Sequence, residues 1–461
     1  MTLIKSISGI RGTIGGAPGE NLTPLDAVKF ASAYGNWLKA QRSSGSCKVV
    51  IGRDARPSGA MVQDLVQQTL VAMGIHIIDC GLSTTPTIEV AVVKEKAQGG
   101  IILTASHNPV QWNALKLLNA SGEFLSAEDG KSILEQVEKG QFDYVEVEQL
   151  GKITRKENAI TEHIEAILNL PYIQVEAIAK ADFKVAVDAV NSTGGLAIPP
   201  LLEALGVRQT ELLYCEPNGQ FPHNPEPLKQ HLGDIMEVVK DTGCDLGLVV
   251  DPDVDRLALI MENGDMFGEE YTLVAASDYL LAQRGGSLVS NLSSSRALRD
   301  LATENQQAYH AAAVGEVNVV AKMKEVDALI GGEGNGGVIL PDLHYGRDAL
   351  VGIALILSHL ATSGKKLSEL RASYPEYYMA KNKASLHADT DVDQLLADIN
   401  TAYQNEDITT IDGVKIDFAE EWVHLRKSNT EPIVRIYAEA RSQRRADELA
   451  AEFTRKLERM K

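Results

Sequence analysis

Gly99-Gly100-Ile101-Ile102-Leu103-Thr104-Ala105-Ser106-His107-Asn108-Pro109 runs from an unbroken apolar stretch into a polar turn. The apolar part has no polar alternation, so it reads as a strand buried on both faces of a sheet. Asn108-Pro109 turns the chain immediately afterwards. Ser106 is thereby held over the carboxyl end of the strand, where open α/β sheets bind their ligands.

The same grammar continues on both sides. Further apolar, β-branched runs fall at 48–52, 75–79, 184–188, 245–251, 258–261, 287–290 and 328–330. Amphipathic segments at 24–41, 61–73 and 348–363 separate several of them. Strands alternating with helices predict βαβ units in parallel or mixed sheets. The last part differs: short strands at 413–418, 422–426 and 433–440, then a helix from Arg444, predict a smaller α+β domain. A chain of 461 residues exceeds what one core supports. The expected division is 1–152, 153–256, 257–367 and 368–461, three related α/β domains with mixed sheets and the α+β domain around a central cleft. The stretches near 139–158 and 363–385 read as linkers, and Asn263-Gly264 as a hairpin turn.

Composition narrows the partners. Lys and Arg total 44 against 63 Asp and Glu, giving −19, which disfavours nucleic acid and anionic membranes. Cys47, Cys80, Cys215 and Cys244 show no CxxC spacing and read as free thiols in a reducing compartment. Neither a signal-peptide core nor an apolar run of membrane-spanning length is evident, so the expected localisation is cytoplasmic.

Three more loops follow predicted strands. Asp251-Pro-Asp253-Val-Asp255-Arg256 places three carboxylates at alternate positions, a repulsive arrangement unless a divalent cation holds them; all-oxygen ligation favours Mg²⁺. Glu262 falls where an EF-hand keeps its twelfth ligand, yet Arg256 replaces the required glycine and a strand follows. A solvated acidic turn is the bland alternative. Gly331-Gly-Glu333-Gly-Asn335-Gly-Gly337 permits close backbone approach, and Glu333 and Asn335 suit sugar hydroxyls; a flexible loop is the alternative. Arg426-Lys-Ser428-Asn429-Thr430-Glu-Pro432, with Arg435 beyond, fits a phosphate cradle or a polar inter-strand loop. Ser8-Gly-Ile-Arg11-Gly-Thr13 adds an arginine in a glycine-flanked loop, and Arg53 and Arg56 are weaker candidates.

Taken in order, these loops resemble the α-D-phosphohexomutase superfamily of phosphoglucomutase, phosphomannomutase and phosphoglucosamine mutase. The resemblance implies that Ser106 carries a phosphoryl group and that Asp251, Asp253, Asp255 and Ser106 ligate Mg²⁺. It implies sugar contacts from Glu333 and Asn335, and a distal phosphate held by Arg426, Ser428, Asn429 and Thr430. Lys116 would be the general acid/base, its pKa lowered by nearby cations, Arg11 the active-site arginine, and Arg256 would steady the transferring group. The implied reaction interconverts a hexose 6-phosphate and a hexose 1-phosphate through a hexose 1,6-bisphosphate. Asn335-Gly336-Gly337 departs from the Ser-Gly-His of many relatives, and Val314-Gly315-Glu316 carries an acid where some have histidine. The first departure removes a histidine contact and blurs sugar identity. The Ser8-Gly-Ile-Arg11-Gly opening and the acid at Glu316 lean the reading towards glucosamine phosphate, with broad glucose and mannose phosphate specificity as the alternative. An aspartyl-phosphate phosphatase built on Asp251 would leave the other loops unexplained.

Overall fold

The computed structural model describes residues 2–6, 9–41, 45–385, 390–427 and 433–459. The chain forms two compact units, Met1–Tyr279 with Gly336–Leu370, and Leu280–Asn335 with Arg371–Lys461.

The larger unit contains a seven-stranded mixed sheet in the order Ile4–Ser6, Gly9–Thr13, Trp112–Leu118, Gly99–Leu103, Cys47–Arg53, Ile75–Leu82, Ile153–Arg155. Gly99–Leu103 is buried throughout, parallel to Cys47–Arg53 on one side and antiparallel to Trp112–Leu118 on the other. Its two leading glycines have a cause. Tyr34, on the helix Pro24–Ala40, lies fully buried and donates its hydroxyl to Leu118 O (2.6 Å) and Gly100 O (3.1 Å). A Cβ on Gly99 would meet that hydroxyl at 2.1 Å. The helix itself starts from a capping box between Thr23 and Asp26, with Pro24 at its first turn.

A second sheet runs Leu257–Met261, Leu246–Val250, Lys184–Asp188, Gln209–Leu213. Its first two strands are an antiparallel hairpin whose connection is the aspartate loop. The Asn263-Gly264 turn forms as expected, with Gly264 at φ 87° and Ile260 bridging Met266. The helix Ala349–Ser363 is almost wholly buried, and Asp348 caps it by accepting from Leu350 N and Val351 N.

The smaller unit has the parallel strands Tyr309–Ala312, Leu288–Asn291 and Ile330–Glu333. It also has an antiparallel sheet in the order Tyr378–Ser385, Ile433–Ala440, Trp422–Lys427, Val414–Asp417, Asp407–Thr409. Val434, Ile436 and Ala438 face an apolar core shared with the helices Val392–Ala402 and Gln443–Arg459. Buried Arg296 ties the two sheets together. Its guanidinium donates to Asp417 Oδ1, Phe418 O and Ala419 O at 3.0–3.1 Å, and its backbone N–H donates to Glu439 Oε1 (3.0 Å).

The α/β architecture with mixed sheets and a smaller antiparallel C-terminal sheet is the one expected. Two expectations need correction. The stretch 139–158 is not a free linker, because Ile153–Arg155 extends the first sheet by pairing with Ile77–Asp79. Likewise 363–385 contains the helix Leu367–Ala372 and the edge strand Tyr378–Ser385. Ile153–Arg155 is too short and too exposed to carry a periodic signal, and only its pairing partner reveals it. Tyr378–Ser385 buries Ala380 and Ala384 but exposes the three residues between them, which breaks the alternation.

Gly99→Ala should lower the thermal unfolding midpoint by several degrees, because the added methyl displaces the Tyr34 hydroxyl from its two carbonyls. Differential scanning calorimetry checks this; an unchanged midpoint would show that the helix can shift away at no cost.

Candidate active site

Ser106 lies just beyond the strand Gly99–Leu103 in the left-handed region, φ 47°, and is 7% exposed. A non-glycine residue adopts that backbone only when its surroundings over-determine it. Arg56 supplies much of the constraint. Its guanidinium donates to Ser106 O (2.5 Å), Asn108 O (2.6 Å), Pro109 O (2.6 Å) and Trp112 O (3.1 Å), while Nε pairs with Asp54 Oδ2 at 2.9 Å. Asp54 accepts in turn from the Thr104 hydroxyl (2.6 Å), which itself receives the Ser106 N–H (2.9 Å). Arg56 is therefore a clamp on the loop, 1% exposed and out of reach of a ligand. Sequence reading ranked it among weak phosphate contacts, since neither its burial nor its carbonyl partners leave a local signal.

The aspartate loop is equally constrained. Val254 sits at φ 64°, rare for a β-branched residue, and its carbonyl accepts from Ala349 N (3.2 Å) at the start of the Ala349–Ser363 helix. Pro252 O accepts from the hydroxyls of Ser192 (2.7 Å) and Thr193 (2.8 Å). Thr85 donates its N–H to Asp253 O (2.8 Å) and its hydroxyl to Asp253 Oδ2 (2.5 Å). The Ser106 hydroxyl donates to Asp251 Oδ2 at 2.5 Å.

Asp251, Asp253 and Asp255 are all buried, each offering a carboxylate oxygen within 4.8 Å of the others. Burial, then the charges of Asp255 and Asp253, push the Asp251 carboxyl well above its ordinary pKa. Burial also acts on Asp253, but the Lys116 ammonium overcomes it and holds that carboxyl below the usual range. Asp253 Oδ1 and Asp255 Oδ1 are buried with no hydrogen-bond partner. Orphaned oxygens on clustered carboxylates are what a hard divalent cation satisfies, so the residues fit the expected Mg²⁺.

Lys116 projects from the strand Trp112–Leu118 and pairs with Asp253 Oδ2 (2.7 Å) and Asp255 Oδ2 (3.4 Å). The anticipated lowering of its pKa is not found: burial pulls it down, but the two carboxylates raise it above the ordinary lysine value. Arg11 lies in the strand Gly9–Thr13, opposite Ala114, so that segment is a strand rather than a loop; Ser8 is outside the described residues. Arg11, Ser106 and Lys116 line a cavity of ≈ 250 Å³. Arg256 Nε stands 3.8 Å from Asp255 Oδ1 without a hydrogen-bond partner. Arg347, which sequence reading missed, donates to Asp255 Oδ2 at 2.7 Å. His107 reports this cationic surrounding. Burial first, then Arg256, Arg347 and Arg11, bring its pKa to about 3, so it is neutral beside the Ser106 hydroxyl.

Behind Arg347 is a buried network also absent from the sequence reading. Asp348 Oδ2 meets His163 Nε2 (2.9 Å) and His344 Nε2 (3.2 Å), and His344 Nδ1 pairs with Glu89 (3.2 Å). Burial disfavours the imidazolium, yet Asp348 and Glu89 raise the His344 pKa to about 10.

In the smaller unit, Glu333 ends the strand Ile330–Glu333 and is buried, its Oε1 accepting from Asn291 Nδ2 (2.9 Å) and Gly315 N (3.2 Å). Asn335 follows in the turn. Arg426 lies directly opposite Arg435 in the antiparallel ladder. Two like charges in that position destabilise a sheet unless an anion accompanies them. Ser428, Asn429 and Thr430 are outside the described residues.

Sequence-family models place this arrangement. Residues 3–144, 161–264 and 268–378 match the phosphoglucomutase/phosphomannomutase α/β/α domains I, II and III, and 380–456 match the C-terminal domain. The chain belongs to the phosphoglucomutase/phosphomannomutase family. Among relatives of this phosphohexomutase, a phosphoglucomutase/phosphomannomutase of Thermococcus kodakarensis is 38% identical, covering 95% of this chain and 96% of its own. A phosphoglucosamine/phosphogalactosamine mutase of Sulfurisphaera tokodaii is 30% identical over 98% of both. A phosphoglucomutase/phosphomannomutase family structure from Burkholderia thailandensis shares the fold, with TM-score 0.82 and 24% identity over 98% of this chain and 96% of that one. The phosphohexomutase is thus an enzyme of intramolecular phosphoryl transfer. No helix among its described residues is long and apolar enough to cross a membrane.

Two outcomes follow for the phosphohexomutase. Arg56→Lys, which cannot serve four carbonyls and a carboxylate at once, should cut kcat by about a hundredfold, as in other misplacements of reacting groups; steady-state kinetics on the folded variant measures it. His344 has a folded pKa near 10 against an ordinary 6.5, so its stabilisation is fully present below pH 6.5 and is lost as pH rises through 10. The gap in thermal midpoint between wild type and His344→Gln should accordingly be widest at about pH 6 and narrow towards about pH 10.

Proposed function

We propose that this phosphohexomutase works through a phosphoserine at Ser106 and a hexose 1,6-bisphosphate intermediate, with glucosamine phosphate as preferred substrate. The observation that carries the reading is the Ser106 hydroxyl, donating to Asp251 at the mouth of an otherwise under-satisfied carboxylate cluster.

In the first step the Oγ–P bond of phospho-Ser106 breaks and a P–O bond forms to the free hydroxyl of the sugar. The proton which that hydroxyl loses ends on the freed Ser106 Oγ, from which it is passed on when Ser106 is rephosphorylated. Arg256, Arg347 and Arg11 offset the charge that spreads over the phosphoryl oxygens, which is the main catalytic task in such a transfer. A Mg²⁺ ion on Asp251, Asp253 and Asp255, with a Ser106 phosphate oxygen, would draw off carboxylate charge and stabilise the transferring group. Lys116 is positioned for the hydroxyl proton; with its carboxylate partners neutralised, the reason for its raised pKa is removed. After the bisphosphate turns around, the other phosphoryl group returns to Ser106, and the proton returns to the freed sugar oxygen. Glu333 and Asn335 hold the sugar hydroxyls, and Arg426 with Ser428, Asn429 and Thr430 holds the distal phosphate in either orientation.

The preference for an amino sugar rests on acidity. Glu333 accepts from the N–H of Gly315, and Glu316 follows in the next position, at the first turn of the helix Glu316–Glu325. A pair of carboxylates near that turn complements the ammonium of glucosamine phosphate better than a neutral hydroxyl.

Phosphopeptide mass spectrometry should find phosphate on Ser106; phosphate on Asp251 would mark a phosphatase instead. Ser106→Ala should abolish interconversion, and chelation should do the same reversibly, with Mg²⁺ restoring activity. A coupled assay with added hexose 1,6-bisphosphate should give the highest kcat/KM for glucosamine 1-phosphate. A preference of about tenfold for glucose or mannose 1-phosphate, some 1.4 kcal/mol, would overturn that part.

A further inference from the structure

Glu333 and Arg426 belong to different sheets of the smaller unit, yet sugar and phosphate recognition require a fixed separation between them. One side chain connects both. Asp412 Oδ2 accepts from the backbone N–H of Val314 (3.0 Å) and stands 3.5 Å from Arg426 Nη1. The next N–H along the chain, that of Gly315, donates to Glu333 Oε1 (3.2 Å). Consecutive peptide groups thus carry the two carboxylates, Asp412 from the turn between two strands of one sheet and Glu333 from the end of a strand in the other. The two N–H groups lie on adjacent planar peptide units joined only at the Val314 Cα, so a displacement of one anchor passes to the other through a single short link.

Asp412 is itself fixed. Its carbonyl accepts from His424 Nε2 (2.6 Å), and His424 Nδ1 meets the Ser293 hydroxyl (2.9 Å). Ser293 N donates to Asn291 Oδ1 (2.9 Å), and Asn291 Nδ2 donates to Glu333 Oε1 (2.9 Å). Asp412 therefore reaches Glu333 by two routes, through Val314-Gly315 and through His424, Ser293 and Asn291. Gly315 suits this task, since its φ of 113° is closed to most side chains. Burial first holds the His424 pKa down to about 4, so the ring is neutral and places one proton between its two partners.

We infer that Asp412 is a positioning residue that sets the distance between the phosphate-gripping Arg426 and the sugar-gripping Glu333. It acts through Val314-Gly315 and touches no substrate. The inference rests on the assignment of Glu333 and Arg426 to sugar and phosphate.

The test measures kcat, KM and the calorimetric Kd for glucose 6-phosphate, and separately the Kd for inorganic phosphate. It uses Asp412→Ala, Asp412→Asn, Glu333→Gln and the double variant Asp412→Ala/Glu333→Gln of the full chain. Asp412→Ala should raise KM and Kd for the hexose phosphate about tenfold, as for a lost hydrogen bond to a partly buried partner. Inorganic phosphate should bind unchanged or tighter, because an acid beside Arg426 is gone. Asp412→Asn should recover most of the hexose phosphate affinity, since its amide oxygen still accepts from Val314. The double variant should match Glu333→Gln within about twofold, the signature of residues acting in series. Multiplying losses, or equal weakening of phosphate and hexose phosphate, would overturn the inference. Wild-type protein that binds glucose 6-phosphate without interconverting it would instead sink the mutase mechanism, while the binding measurements would still judge Asp412.

Discussion

Three carboxylates confined to one buried five-residue loop repel each other, and the construction of the larger unit follows from containing that repulsion. Asp251, Asp253 and Asp255 reach the loop from one hairpin, but the groups that steady them come from distant segments: Thr85, Lys116, Ser192, Thr193, Arg347 and the start of the Ala349–Ser363 helix. Lys116, Arg347 and the Thr85 hydroxyl lower the cost of the negative charge, while Ser192, Thr193 and the helix start pin the carbonyls of Pro252 and Val254 in the loop backbone. What they leave unsatisfied is two oxygens, one on Asp253 and one on Asp255. The loop is thus held rigidly and left incomplete, the condition of a site prepared for a cation.

The same division between fixed frame and open chemistry recurs at Ser106. Its backbone is immobilised by Arg56 and Asp54, both buried, while its hydroxyl stays within reach of Asp251 and a cavity. On the proposed phosphoserine mechanism, attaching or removing a phosphoryl group would change charge at the tip of the side chain without unfastening the main chain beneath it. Phosphoryl transfer rewards this, because its rate depends on in-line placement and preset electrostatics more than on covalent assistance.

Most of the frame was legible in the sequence, for physical reasons that differ by element. Gly99–Leu103 and Leu246–Val250 are buried on both faces, so their composition alone declared them strands. The aspartate loop announced itself because alternating carboxylates are costly without a purpose. Ile153–Arg155 was hidden, as three exposed residues acquire strand character only from a neighbour far away in the chain. Arg56, Arg347 and the His163–Asp348–His344 network were illegible for the same reason: each owes its role to partners many residues distant. Lys116 was found by resemblance, but the direction of its pKa shift was misjudged, since the anions beside it outweigh the cations farther off.

The edge strand Tyr378–Ser385 has a consequence for the protein in crowded solution. Among the described strands it pairs with Ile433–Ala440 alone and forms the edge of its sheet, the position at which a foreign strand would add. Lys381, Asn382 and Lys383 stand exposed in the middle of that edge. An incoming strand from another copy would bring its own lysines alongside them, so like charge meets like along the seam. This segment therefore discourages aggregation through its edge while its inner face contributes Ala380 and Ala384 to the core.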